Sequence, residues 1–180
     1  CLLSSTTSSW LMEYIVTFPN SRTINYLVFS GCIFLMSVAL YMEHAMGLEP
    51  CPLCILQRIA VIATGVVALI AALSNPGILG IRIFGVISVF TASLGAALSI
   101  RQLWLQNLPE DEIPACGPGL DYLMDVFPLT EVLSMILTGD GSCAEVVWSL
   151  FGINIPGWTL IGFFGLIAIN LFQMIKPKHC

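Results

Sequence analysis

Long apolar stretches alternate with short polar interruptions along this chain. A helix needs about 20 mostly apolar residues to cross a hydrocarbon core. Four stretches meet or approach that length, roughly Ile24–Met42, Ile55–Leu73, Ile83–Ile100 and Trp158–Ile175. The predicted fold is an all-α membrane protein, a bundle of four transmembrane helices. Small residues recur within the spans, Ala68 with Ala72, Ala92 with Ala96 and Gly162 with Gly165. Such faces let helices approach closely in lipid. A fifth periodic stretch lies between the third and fourth spans. Pro128–Leu137 puts Leu129, Val132, Leu133, Ile136 and Leu137 on one stripe, which predicts a short amphipathic helix. It would lie in the membrane interface and hold down the long loop that carries it.

Composition agrees. Of 180 residues, 57% are hydrophobic and 9% charged, against about 25% charged in a soluble domain. Too few charges remain to cover a water-facing surface. The net charge of −5 argues against a nucleic-acid partner. The length suits one bundle rather than two domains.

Cations set the orientation. Arg22 precedes the first span, Arg82 lies between the second and third, and Lys176 and Lys178 follow the fourth. With four spans these positions share one side, which the positive-inside rule makes cytoplasmic. Residues 1–23 then form a cytoplasmic extension of no assignable function, 24–175 the membrane domain, and 176–180 a cytoplasmic tail. The outer face receives segments 43–54 and 102–157, where most acidic residues gather. Tyr41, Trp104, Trp148 and Trp158 suit the outer interface, where amphipathic rings are favoured.

This topology sorts the seven cysteines. Cys51, Cys54, Cys116 and Cys143 fall on the outer face, where disulfides form and persist. Cys32 lies within the first span and reads as a small packing residue. Cys180 reads as a reduced thiol without a role, and Cys1 has none assigned.

Cys51-Pro-Leu-Cys54 joins the first two spans. A Cys-x-x-Cys pair closes a small ring, the geometry of an exchangeable dithiol. Cys54 opens the second span, where unsatisfied N–H groups and the positive dipole end favour a thiolate. Arg58 is one turn deeper on the same face. An ionisable residue just inside the membrane marks a functional site, although a long cation also snorkels to lipid phosphate. Arg101 invites the same two readings with a weaker functional case. His44, beside Glu43, is either a proton-handling group or an interfacial residue without chemistry.

Cys116 and Cys143 stand among Pro and Gly in the long loop, which predicts mobile turns. They suit either exchange with a partner or a structural staple worth about 3–4 kcal/mol.

These motifs resemble the DsbB family of bacterial inner-membrane disulfide-generating proteins. The resemblance rests on Cys51-Pro-Leu-Cys54-Ile-Leu-Gln-Arg58, the Cys116 turn, Gly141-Ser-Cys143-Ala-Glu145 and Trp148-Ser-Leu-Phe-Gly-Ile-Asn-Ile-Pro156-Gly-Trp158. It covers about residues 24–175 by order, spacing and topology. It implies a thiol:quinone oxidoreductase in the inner membrane, both termini cytoplasmic. Cys116 with Cys143 would take electrons from a periplasmic, thioredoxin-like DsbA partner. Cys51 with Cys54 would receive them next. Cys54 and Arg58 would face a membrane quinone, ubiquinone or menaquinone. Family members differ in their polar residues on the third span, so Gly95–Gln102 carries no assigned quinone contact.

Two alternatives remain at this stage. One resembles the vitamin K epoxide reductase family, in which the loop pair precedes the Cys-x-x-Cys motif; here the order is reversed. The other is a Cys₄ metal-binding membrane protein using Cys51, Cys54, Cys116 and Cys143. The topology is checked by an impermeant thiol reagent on intact, gently reduced cells. It should label the outer cysteines and spare Cys180; strong outside labelling of Cys180 would overturn the orientation.

Overall fold

Each apolar run forms one helix, and each helix outruns the run that predicts it. In the computed structural model the described residues are 20–48, 50–109, 112, 122, 125–139 and 141–175. Helix α1 spans Ser21–Met46 and starts at Asn20, whose side chain accepts from the Arg22 N–H at 3.3 Å. Helix α2 spans Pro52–Ser74. Pro52 takes the first position, where its missing N–H costs nothing and its fixed φ suits the helix. Helix α3 spans Ile78–Gln106. The outer loop then carries α4 (Leu129–Thr138), the single turn α5 (Gly141–Ala144) and a two-stranded hairpin. In it, β1 (Ser149–Leu150) pairs antiparallel with β2 (Ile153–Asn154), Ser149 opposite Asn154. Helix α6 (Ile155–Ile175) follows directly. Helices α1, α2, α3 and α6 are each long and apolar enough to cross a membrane.

Two loop expectations change. The turn between α2 and α3 is only Asn75–Gly77, with Asn75 left-handed at φ 40°. Arg82 therefore sits inside α3 rather than in a turn. At its other end α3 runs on through Gln102 to Gln106, so the loop expected over 102–157 begins later and ends at Ile155. At about 1.5 Å per residue a helix this long exceeds a hydrocarbon core of about 30 Å. Its last turns form a post against which the loop packs. The Asn107 side chain donates to the Leu103 carbonyl at 2.7 Å, covering a carbonyl of the last turn.

Helix α3 is central, packing along α2 and α6, while α1 leans on α2 and barely touches α6. The α3–α6 contact rests on absent side chains. A Cβ at Gly95 would lie 2.2 Å from Phe163 Cζ, and one at Gly85 would lie 2.5 Å from Met174 Cγ. Ala92 and Ala96 are buried on α3, as are Ala68 and Ala72 on α2. The third expected small pair is mixed, since Gly162 meets Leu35 and Gly165 meets nothing within 4 Å. Cys32 is buried against Gly65, as a packing residue should be.

A second apolar cluster caps the outer end, formed by Leu53, Leu105, Val132, Ile136, Cys143 and Ala144. Helix α4 feeds Val132 and Ile136 into it, while Leu129, Leu133 and Leu137 of the expected stripe stay exposed. Arg101 holds the end of α4 by donating to the Leu137 carbonyl at 3.2 Å and the Thr138 carbonyl at 3.0 Å. Its guanidinium also lies 4.3 Å from the Trp104 ring centroid. Its task is to cap a helix C-terminus. Gly139 ends α4 at φ 81°, against Leu105.

Gly95→Ala should force Phe163 from its place. Overpacking of this kind costs about 1–3 kcal/mol, seen as a lower thermal midpoint in detergent. Adding Phe163→Leu should recover part of the loss. An unchanged midpoint for Gly95→Ala would mean that the α3–α6 contact is loose.

Candidate active site

The N-terminus of α2 holds the Cys-x-x-Cys pair. Cys51 is its N-cap, and its Sγ accepts the Cys54 backbone N–H at 3.4 Å. Cys54 is thereby set in the first turn with its sulfur 2.9 Å from that of Cys51. Both are free thiols and half-buried.

Cys143 comes to the same place. It was expected in a mobile turn, but it stands in α5 with 1% of its surface exposed. Leu53, Leu105 and Val132 enclose it, so the Gly and Ser before it serve a tight turn rather than a loose one. Its burial also makes it a slow target for an outside thiol reagent. The Cys51 thiol hydrogen-bonds with Cys143. That bond, the bond to Cys54 and burial hold the Cys51 thiol protonated well above the usual thiol range. Among the described residues three cysteines thus meet. Cys116 lies outside the described residues, as do Cys1 and Cys180.

Gln102 supplies a polar contact that sequence reasoning left unassigned. Its Nε2 lies 3.4 Å from Cys51 Sγ and 3.3 Å from Cys54 Sγ. Its Oε1 accepts from Gln57 Nε2 at 2.8 Å, and Gln57 Oε1 accepts the Thr159 hydroxyl at 2.9 Å. Gln102 and Gln57 are buried. One signal was present in the chain: Gln57 is a polar residue one turn below Cys54 in a membrane span, and such residues are seldom idle.

Arg58 pairs with Glu43 and donates to the Ala39 carbonyl at 3.3 Å. Glu43, expected only as part of the outer acidic face, is its counter-ion. His44 bonds the Leu40 carbonyl through Nδ1 at 3.1 Å, within its own helix, and among the described residues it bonds no thiol.

A cavity of about 430 Å³ is bounded by α1, α2, the end of α3, the loop before α6 and the start of α6. Phe34, Leu35, Val38, Trp158 and Phe163 form apolar walls, and Cys54, Gln57, Arg58 and Gln102 form a polar end. It has the form of a small-molecule site, mostly apolar with a few convergent polar groups. Among the described residues, no His, Cys, Asp and Glu side chains gather in a group able to hold a metal ion.

The family model described as "Disulfide bond formation protein DsbB" matches residues 21–173. Curated relatives named "Disulfide bond formation protein B" span nearly the same length. The protein from Saccharophagus degradans is 48% identical over 162 residues, covering 90% of this chain and 98% of the relative. Those from Hahella chejuensis and Marinobacter nauticus are 49% and 51% identical over 156 residues, covering 87% of this chain and 94% and 93% of the relatives. With four membrane-spanning helices around a cysteine pair, and a match along most of its length, this chain belongs to the DsbB family of disulfide bond formation proteins.

Proposed function

We propose that this chain reoxidises a periplasmic DsbA-like dithiol protein and passes the electrons through its two cysteine pairs to a membrane quinone. The observation that carries the proposal is the position of Cys51 and Cys54 between two faces. Cys51 touches Cys143, and both Cys51 and Cys54 border the apolar cavity, with Arg58 beside them. One disulfide between them would thus meet a loop cysteine at Cys51 and border a lipid-like site along its length.

The chemistry follows by exchange. The partner's thiolate attacks a Cys116–Cys143 disulfide at Cys116, and its second thiol resolves the mixed disulfide. The partner leaves oxidised, and the loop pair has gained two electrons and two protons. The Cys143 thiolate then attacks Cys51 in a Cys51–Cys54 disulfide, and Cys54 leaves. Cys54 departs as a thiolate at the start of a helix, where the dipole favours negative charge, and a good leaving thiol speeds exchange. Cys116 attacks Cys143 to close the loop disulfide again and release Cys51, leaving Cys51 and Cys54 reduced.

The cavity fits the acceptor by shape and chemistry, with apolar walls for a lipid-soluble ring and tail. A bound quinone supplies a two-electron, two-proton acceptor. The Arg58 guanidinium would stand by the developing negative charge of a reduced oxygen, and Cys54 would lie against the ring. Glu43 keeps Arg58 in that position. In this reading the chain lies in the bacterial inner membrane with both termini cytoplasmic. The quinone type is ubiquinone or menaquinone.

Two measurements check the two ends. Arg58→Ala should leave disulfide exchange with the partner intact and weaken turnover with quinone, through a higher KM, a lower kcat or both, by more than Arg101→Ala does. Wild-type quinone kinetics with partner exchange lost would mean that the acceptor binds elsewhere. At the other end, with a mild thiol oxidant to supply the disulfide, Cys143→Ser should trap, at Cys116, a partner lacking its own resolving cysteine. A mixed disulfide forming at Cys143 instead, in a Cys116→Ser variant, would reverse the two roles.

A further inference from the structure

We infer that Gln102 is a further catalytic residue: its carboxamide, aimed from α6 by Thr159 through Gln57, donates to the Cys54 sulfur and holds it as the thiolate. The inference rests on reading Cys51 and Cys54 as the exchanging pair, and it concerns what surrounds the reduced sulfur.

The Cys51 S–H donates to Cys54 Sγ at 2.9 Å, and the other nearby donors are committed elsewhere. The Cys54 backbone N–H, which a helix N-terminus would offer to an anion, goes to Cys51 Sγ. The Arg58 guanidinium binds Glu43 and the Ala39 carbonyl. Among the described residues, the nitrogen that donates to Cys54 Sγ is Gln102 Nε2, at 3.3 Å. A thiolate in a buried place depends on such a donor, because a bond to a charged group there is strong and its loss is costly.

A carboxamide has two ends, and only one of them serves a thiolate. Its oxygen, 3.6 Å from Cys54 Sγ, would accept from a protonated thiol instead. Gln57 decides between them. Its Nε2 donates to Gln102 Oε1 and so turns the Gln102 nitrogen toward the sulfurs. Gln57 is oriented in turn because its Oε1 accepts the Thr159 hydroxyl. That hydroxyl is held between Ser99 Oγ at 3.2 Å and the Pro156 carbonyl at 2.9 Å. It has one proton, so it donates to Gln57 or to Pro156, not both. Donation to Gln57 sets the sense that suits a thiolate. Donation to Pro156 lets both amides flip to the sense that suits a thiol. Thr159 is therefore a positioning residue, setting from the fourth span the polarity of an amide contributed by the third.

The test uses the full chain in detergent, reduced, without quinone or partner. Iodoacetamide reacts with thiolate rather than thiol, so the rate at Cys54, read by peptide mass at pH 7, reports the thiolate fraction. Gln102→Leu should slow it about tenfold, as expected when a charged hydrogen bond is lost. Thr159→Val, nearly isosteric and remote from the sulfurs, should slow it several-fold (about three-fold or more, as part of the same loss). Thr159→Ser should restore the wild-type rate by returning the hydroxyl. A wild-type rate in either Gln102→Leu or Thr159→Val overturns the inference, as does Thr159→Ser behaving like Thr159→Val. If Gln102→Leu does not fold, the Thr159 pair decides alone. Since no quinone turnover is involved, failure here leaves the proposed electron acceptor standing, and failure of quinone turnover leaves this result standing.

Discussion

The close approach of α3 to α6 is the contact on which the outer end of the bundle depends. In lipid there is no hydrophobic drive to bring two apolar helices together, so packing and interhelical hydrogen bonds must do it. Gly95 yields its place to Phe163 and Gly85 to Met174. That approach brings Ser99 to 3.2 Å from Thr159 and puts Thr159 within reach of Gln57. The polar link from α6 to the sulfurs therefore follows from side chains that α3 lacks. A bulkier face on α3 would separate the helices and take the Thr159 hydroxyl from the buried Gln57 Oε1, which costs more than that bond contributes.

The sulfur cluster then solves a problem of opposed needs. Cys51 must stay a thiol when reduced, so that two neighbouring anions do not form in a poorly solvated place. Cys143, Cys54 and burial all push it that way. Cys54 stands instead in the first turn of α2, where its sulfur accepts from the Cys51 S–H and from Gln102 Nε2. The two sulfurs of one motif are thus made unlike by what stands on either side, although the motif itself is nearly symmetric in sequence.

Much of the frame could be read from the chain, because spans declare themselves by length and apolarity. The Cys-x-x-Cys pair and Arg58 were legible too, since their relation is local and helical spacing fixes it. What escaped was what joins distant segments. Gln102 is 48 residues from Cys54, on a stretch that looked like the start of a loop, because the apolar run stops at Ile100 while the helix does not. Cys143 looked mobile because Gly and Ser precede it. Its order comes from Leu53, Leu105 and α4, none of which its neighbours in sequence disclose. The amphipathic stripe of α4 was right in period, and it divides between the protein core and the surface expected to meet the membrane interface. Three of its five apolar residues stay outside the protein core.

The two outer arginines show why residue type and depth were not enough. Arg58 and Arg101 both sit on the outer halves of spans, and each invited a snorkelling reading. Arg101 finds the bare carbonyls of α4 and the face of Trp104. Its donors are spent on fixing a helix end, and it does not line the cavity. Arg58 finds one carboxylate and one carbonyl on α1, with five N–H groups to distribute. Pairing with Glu43 reduces the cost of a cation at membrane depth without turning it away from the cavity, whose wall it forms. A fully neutralised arginine would offer little to a developing anion, and an unpaired one would be drawn to the headgroups. A single half-exposed carboxylate partner leaves Arg58 between these extremes, anchored to the helix beside it and still able to meet negative charge at the mouth of α2.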